Sequence, residues 1–172
     1  MPPRRVLISG SVLSLQDPCV LYPCCQNCVS RLFINKSGFH RCICKKCGFI
    51  CGVDDVKYRY RLSFGVARNS DIFGVAVFGS CLDPYFGVSA GFLHRFMEDL
   101  KKDAGDMVHT LLIQAVKDCF VGRHFIFGIK VSDEHDLYFN SCPVSNPENT
   151  PHLFVACQIA LPNAAIVGCT VI

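Results

Sequence analysis

Two pairs of cysteines spaced to grip a metal ion carry the clearest chemistry in this sequence. Cys25 and Cys28 stand three positions apart, fifteen residues follow, and Cys44 and Cys47 repeat the spacing. Two thiolates three apart hold an ion from a tight knuckle turn, and two knuckles complete a tetrahedron with Zn–S bonds of about 2.3 Å. Gly48, directly after Cys47, supplies the permissive backbone that such a knuckle needs. Four thiolates leave no position for water, so the expected cofactor is one structural Zn2+. Cys24 offers a competing register to Cys25, and Cys42 and Cys51 are spare thiols. Cys42 would leave a single residue before Cys44, a poor knuckle. A zinc deaminase needs His-x-Glu ahead of Pro-Cys-x-x-Cys, whereas the first histidine here, His40, follows the first pair.

No catalytic constellation accompanies the metal signal. Gly79-Ser80-Cys81 lacks the second glycine of a nucleophile elbow, and no phosphate-binding glycine loop is present. The six histidines fall at no metal or triad spacing. The expectation is a protein that is not an enzyme and takes no small-molecule substrate.

Charge suggests a different kind of partner. Residues 1–70 carry eleven Lys or Arg against three Asp, and residues 71–172 carry six against eleven acidic residues, for a net +3. The positive half is the cysteine-rich half. Such an asymmetry fits a polyanion partner, or equally a solvated surface that happens to be basic.

The elements that must position these residues are mainly strands. With 172 residues, 51% of them hydrophobic, the chain can bury a core without staples. The thirteen cysteines are odd in number, and eight of them crowd into residues 19–51. Both facts argue for a reducing compartment with one metal site rather than a secreted disulfide scaffold, and the expected location is the nucleus and cytoplasm. No apolar stretch reaches the roughly 18 residues needed to cross a bilayer. Arg4-Arg5 with Val6 to Leu15 mimics a signal peptide, but Ser9, Gly10, Ser11 and Ser14 dilute it and Asp17-Pro18-Cys19 replaces a cleavage site. It reads as a buried first strand. The cysteine-rich excursion 19–52 follows, with short β-like pieces at Val29–Asn35 and Phe39–Ile43.

Lys57–Ala67 alternates strictly: Tyr58, Tyr60, Leu62, Phe64 and Val66 on one face, Lys57, Arg59, Arg61 and Ser63 on the other. A turn at 69–71 leads into a returning strand, Ile72–Gly79. There Phe73, Val75 and Val77 suit a core, while Gly74, Ala76 and Phe78 face the opposite way. Helical spacing then predicts a helix over Gly91–Leu100 and a stronger one over 108–120, with Asp106 as cap and Gly122 where it ends. His124–Val131 is a strand, Asp133–Pro151 a loop, Leu153–Leu161 a last strand, and Ala164–Ile172 an apolar end that suggests a longer protein. Strand, metal insert, two strands, helix, two strands is the order of an OB barrel. The expectation is a mainly β chain: one domain over 1–172, a five-stranded OB-fold barrel with accessory helices and a zinc ribbon inserted at 19–52.

From Tyr22 onward the sequence resembles the C-terminal OB domain of the replication protein A large subunit. The resemblance rests on Tyr22-Pro23, the four cysteines, Lys57-Tyr58-Arg59 with Leu62-Ser63, Val77-Phe78 and Phe125-Ile126-Phe127. Over nearly the whole chain it also resembles the N-terminal region of the DNA damage-induced apoptosis suppressor family. That likeness is carried by Tyr58-Arg59-Tyr60-Arg61-Leu62-Ser63, Val77-Phe78-Gly79-Ser80-Cys81-Leu82-Asp83 and Gly91-Phe92-Leu93-His94-Arg95. Cys119-Phe120-Val121-Gly122, Val155-Ala156-Cys157-Gln158-Ile159 and Thr170-Val171-Ile172 agree as well. These resemblances imply a zinc-bearing OB module of a DNA-damage-response, anti-apoptotic factor that binds single-stranded DNA. A stacking aromatic maps to Phe78 and a second near Asp136, where Tyr138 and Phe139 are the closest rings. Gly128 stands where a fourth-strand arginine is expected, and Lys130 remains.

The residues themselves accommodate that reading. Phe78 could stack a base, with Gly74 and Ala76 leaving room for the strand, or could simply be core. Lys57, Arg59 and Arg61 would meet phosphates, with Lys45 and Lys46 on the ribbon. The competing expectation is an assembly module that docks other OB-fold, replication or repair proteins without touching DNA; neither reading involves a membrane.

Overall fold

A strand that serves two neighbours must be long and must bend. In this computed structural model, which describes residues 4–34, 41–131 and 153–162, β1 (Arg4–Leu15) and β5 (Lys57–Arg68) each run for 12 residues. The other elements are β2 (Leu21–Cys24), β3 (Arg41–Ile43), β4 (Ile50–Gly52), β6 (Asp71–Phe78), α1 (Asp83–Phe86), α2 (Ala90–Ala104), α3 (Met107–Phe120), β7 (His124–Val131) and β8 (Leu153–Ala160). The chain divides into two compact units. One comprises Met1–Asp17, Ser63–Val77 and Val116–Ile172; the other comprises Pro18–Leu62 and Phe78–Ala115.

The first unit holds a ring of five strands. β1 pairs antiparallel with β7 from Arg4↔Val131 to Ser11↔His124, and its end pairs with β5 from Ser11↔Ala67 to Leu15↔Phe64 across a bulge. β8 runs antiparallel to β7 and parallel to β6, and β6 lies beside β5. This circuit, with its single parallel pair between the third and last barrel strands, is the expected OB order. Gly10 makes the exchange of partners possible. A Cβ there would come within 2.5 Å of Val66 Cγ1 and 2.9 Å of the Ala67 carbonyl oxygen. The interior is phenyl-rich: Phe64 and Phe125 flank Phe120 at ring separations of 5.2 and 5.4 Å. Burying each such side chain contributes about 1.5–3 kcal/mol.

One expectation about this unit fails. Gly74 and Ala76 are buried rather than lining an open surface. The reason is position: β6 is central, with β8 on one side and β5 on the other, and both of its faces are covered over these residues.

The second unit contains the cysteine-rich excursion, the start of β5, and α1 and α2. β2, absent from the sequence reading, pairs with β5 from Leu21↔Tyr60 to Cys24↔Lys57. The described residues of the expected piece Val29–Asn35, 29–34, form no strand; Arg31 makes one isolated bridge, to Cys24. α2 begins one residue before the sequence expectation because Ser89 Oγ accepts from the Phe92 amide at 3.3 Å. Tyr60 is buried, stacks on Phe86 at 4.1 Å and donates its hydroxyl to the Val88 carbonyl at 2.8 Å. Burial, reinforced by Asp83, pushes that hydroxyl to about 12. Among the described residues no helix is long and apolar enough to cross a membrane. The expected loop Asp133–Pro151 and the apolar end Ala164–Ile172 lie outside the described residues.

Candidate metal centre and nucleic-acid face

Two turns of the same design present the four cysteines. In each, the residue after the second cysteine has positive φ: 63° at Val29 and 72° at Gly48. The Val29 amide donates to the Cys25 carbonyl at 3.0 Å, and the Gly48 amide to that of Cys44 at 2.8 Å. One residue later the ring closes. The Cys25 amide donates to the Ser30 carbonyl and the Cys44 amide to the Phe49 carbonyl, both at 2.8 Å. Leu32 and Cys42 are buried with Cys25 and Cys44 in a small core that fixes the two turns together.

The sulfurs of Cys25, Cys28, Cys44 and Cys47 all lie within 4.8 Å of one another. Cys25 and Cys47 stand 3.6 Å apart, and Cys28 and Cys44 3.5 Å. A tetrahedron with Zn–S bonds near 2.3 Å has edges of about 3.8 Å, so the spacing is compatible with zinc. Cys24 is not in the cluster. It lies in β2 opposite Lys57, and burial pushes its thiol up against the pull of Arg59 and Lys57. Cys42 and Cys51 face each other across β3 and β4.

Without a cation the Cys28, Cys44 and Cys47 thiols are pulled in different directions. The Ser30 hydroxyl and amide hold the Cys28 thiol at about 6, and the Phe49 amide and Asn27 lower Cys47. Cys44 goes the other way. The Cys47 amide pulls it down, yet burial and the facing Cys28 and Cys47 sulfurs leave it at about 11. A divalent cation would take the place of the retained proton and let all four act as thiolates.

The basic strand face lies in the same unit. Phe78, the last residue of β6, is half-buried; the Arg61 guanidinium carbon lies 5.9 Å from its ring centroid, and Tyr22 meets it edge-on at 6.0 Å. Arg59 presses on the backbone of Gly79, where any Cβ would collide with the guanidinium and where φ is +87°. The positive φ is what favours glycine there; the guanidinium, at the end of a flexible side chain, could give way to a Cβ. Tyr22, opposite Arg59 in the β2–β5 register, was not singled out as a site residue. Burial raises its hydroxyl while Arg59, hydrogen-bonded to it, opposes the rise.

The expected contact residues are thus only partly gathered. Arg61 meets Phe78, and Arg59 lies on the residue that follows it. Lys57 is exposed at the start of the same strand, and Lys45 and Lys46 are exposed on the second knuckle. Lys130 is exposed on β7, in the other unit. Tyr138 lies outside the described residues.

No family model matches the chain. Among solved structures, it is similar to a chain of a replication protein A heterotrimer bound to ssDNA, with a TM-score of 0.61 and 19% identity over 98% of this chain and 34% of that one. It is also similar to a chain of yeast replication protein A bound to ssDNA, with a TM-score of 0.56 and 16% identity over 95% of this chain and 81% of the other. Both neighbours are OB-fold chains, and the likeness assigns the fold. Among curated proteins, the human DNA damage-induced apoptosis suppressor protein is 39% identical over 98% of this chain, and its mouse counterpart 36% over all of it. The chain spans 18% and 20% of the length of these two relatives. Nearly the whole chain is thus similar to one segment of the DNA damage-induced apoptosis suppressor proteins.

Proposed function

We propose that the chain is a single-stranded DNA-binding OB module, one domain over 1–172 with a ribbon inserted at 19–52. It serves a DNA-damage-response, anti-apoptotic factor of the nucleus and cytoplasm. Cys25, Cys28, Cys44 and Cys47 hold one structural Zn2+, which supplies a cross-link between the knuckles and no reaction. The observation that carries the reading is Phe78, half-buried between Arg61 and Tyr22 at the end of the basic face of β5. A base stacked on Phe78 contributes about 1–3 kcal/mol, and Lys57, Arg59 and Arg61 meet phosphates beside it. Lys45 and Lys46 add ribbon contacts, and Lys130 and Tyr138 are proposed as further DNA contacts. That both solved neighbours carry ssDNA supports this reading.

Fluorescence anisotropy with labelled oligo-dT tests it. Single strands should be preferred to duplex, affinity should fall with salt at a log–log slope of about −0.7 per phosphate contact, and Phe78→Ala should weaken binding about 5- to 150-fold. Absence of binding at low salt would refute the reading.

One observation favours the assembly reading instead. On α2, Phe92 and Phe96 are each 50% exposed and stack at 6.4 Å. If this face docks another OB-fold, replication or repair protein, Phe92→Ser with Phe96→Ser abolishes co-purification. Phe78→Ala and charge reversal at Arg59 and Arg61 then leave it intact.

A further inference from the structure

The ribbon gathers a second aromatic among cations, away from Phe78 in sequence. Leu32 enters the ribbon core at 3% exposure, and its amide donates to the Pro23 carbonyl at 2.9 Å. The next residue, Phe33, is turned outward and stands 53% exposed. Cations from two separate segments lie close to its ring. The Arg31 guanidinium carbon lies 6.0 Å from the centroid and the Lys45 Nζ 5.2 Å. Arg31 is placed by its bridge to Cys24, and Lys45 by its position inside the second knuckle. Residues 18–53 contain five Lys or Arg and no Asp or Glu. A tetrathiolate site around a dication adds back only two negative charges, so the segment keeps a positive excess.

An exposed phenyl ring with two cations close to it, on a segment free of carboxylates, matches a nucleobase with its flanking phosphates. A protein partner would have to supply an apolar group and acidic side chains at one particular spacing. A nucleic-acid strand offers both in every repeat unit. We propose that Phe33 is a second base-stacking platform of the single-stranded DNA site, with Arg31 and Lys45 as its phosphate contacts; this rests on the single-strand reading above.

The chain has no tryptophan, so Phe33→Trp creates a sole indole reporter at this position. Titrated with an oligo-dT of about 20 nucleotides, longer than the site of one OB fold, its emission should fall saturably with the midpoint that anisotropy gives for the wild-type chain. Phe33→Ala should weaken binding about 5- to 150-fold. Arg31→Ala and Lys45→Ala should each flatten the salt slope by about 0.7, with zinc content unchanged. If the wild-type chain binds oligo-dT while Phe33→Ala binds equally well, or while the Phe33→Trp emission stays constant, the platform is refuted and the Phe78 site stands. If the wild-type chain binds no single strand at low salt, both fall together.

Discussion

In the first knuckle a valine occupies the position that the second gives to glycine. Val29 and Gly48 have nearly the same φ, 63° and 72°, and their amides close the same hydrogen bond to the first cysteine of the turn. At the next position the Cys28 thiol donates to Ser30 Oγ at 3.3 Å, whereas Phe49 offers no polar side-chain partner. Glycine therefore permits the knuckle but does not dictate it. A β-branched residue held in the left-handed region stores about 1–3 kcal/mol. That strain persists because the Cys25 amide bond to Ser30, the buried Leu32 and the sulfur cluster over-determine the turn. In the second knuckle the same frame forms without strain, and its x-x positions are free to carry two lysines.

The widest test of this comparison removes what the knuckles share. Structural zinc contributes about 10–16 kcal/mol of binding free energy in small metal domains. Cys44→Ala should therefore lose the ion by elemental analysis and unfold the ribbon, seen as lost chemical-shift dispersion for its residues. Cys24→Ala, equally buried but outside the cluster, should keep one zinc per chain and lose only about 1 kcal/mol of packing. Zinc loss in the Cys24 variant, with zinc retained on Cys25→Ala, would mean that the register is the other one.

Next in size is Gly48→Val, which writes the first knuckle's sequence into the second. No heavy atom lies within 4 Å of a Cβ built there, so the change introduces no clash and the penalty is conformational. We expect the ribbon to lose about 1–3 kcal/mol, read as easier zinc removal in a chelator competition. An unchanged competition curve would show that the second knuckle tolerates a side chain as the first does.

How legible these features were in the sequence follows from the same physics. The four sulfurs could be read from spacing because a metal tetrahedron constrains sequence directly. The order of barrel strands could be read from alternation, most plainly in Tyr58–Val66. Val29 could not, because β-branched residues favour extended backbone, and a strand over Val29–Asn35 was the natural expectation. β2 was hidden for the opposite reason: Leu21–Cys24 is too short to show a period and contains Pro23. Burial of Gly74 and Ala76 depends on β8, a neighbour that lies some eighty residues away along the chain. Tyr22 acquires its place against Phe78 only through the β2–β5 register.

A smaller difference separates the knuckles at Ser30. Its hydroxyl and amide hold the Cys28 thiol down at about 6, a support that Phe49 can give Cys47 only through its amide. Partners outside the ligand set commonly alter metal affinity 10- to 100-fold. Because the Ser30 amide survives substitution, Ser30→Ala should sit at the low end, about tenfold weaker zinc in the same competition assay. Phe49→Ala, which leaves its amide in place, should not weaken zinc through any lost sulfur contact.

The finest test reverses the substitution that defines the comparison. Val29→Gly removes a left-handed valine that is 42% exposed and so gives up little burial. Relief of about 1–3 kcal/mol of strain is offset by the greater backbone freedom of glycine in the unfolded chain, about 0.5–1 kcal/mol. A net gain of about 1 kcal/mol should appear as harder zinc removal. The double variant Val29→Gly with Gly48→Val exchanges the two sequences. If the turns respond independently, its stability should equal the sum of the single changes to within about 0.5 kcal/mol. A larger departure would mean that the shared ion transmits strain from one knuckle to the other, so that Val29 is tolerated because its partner turn is relaxed.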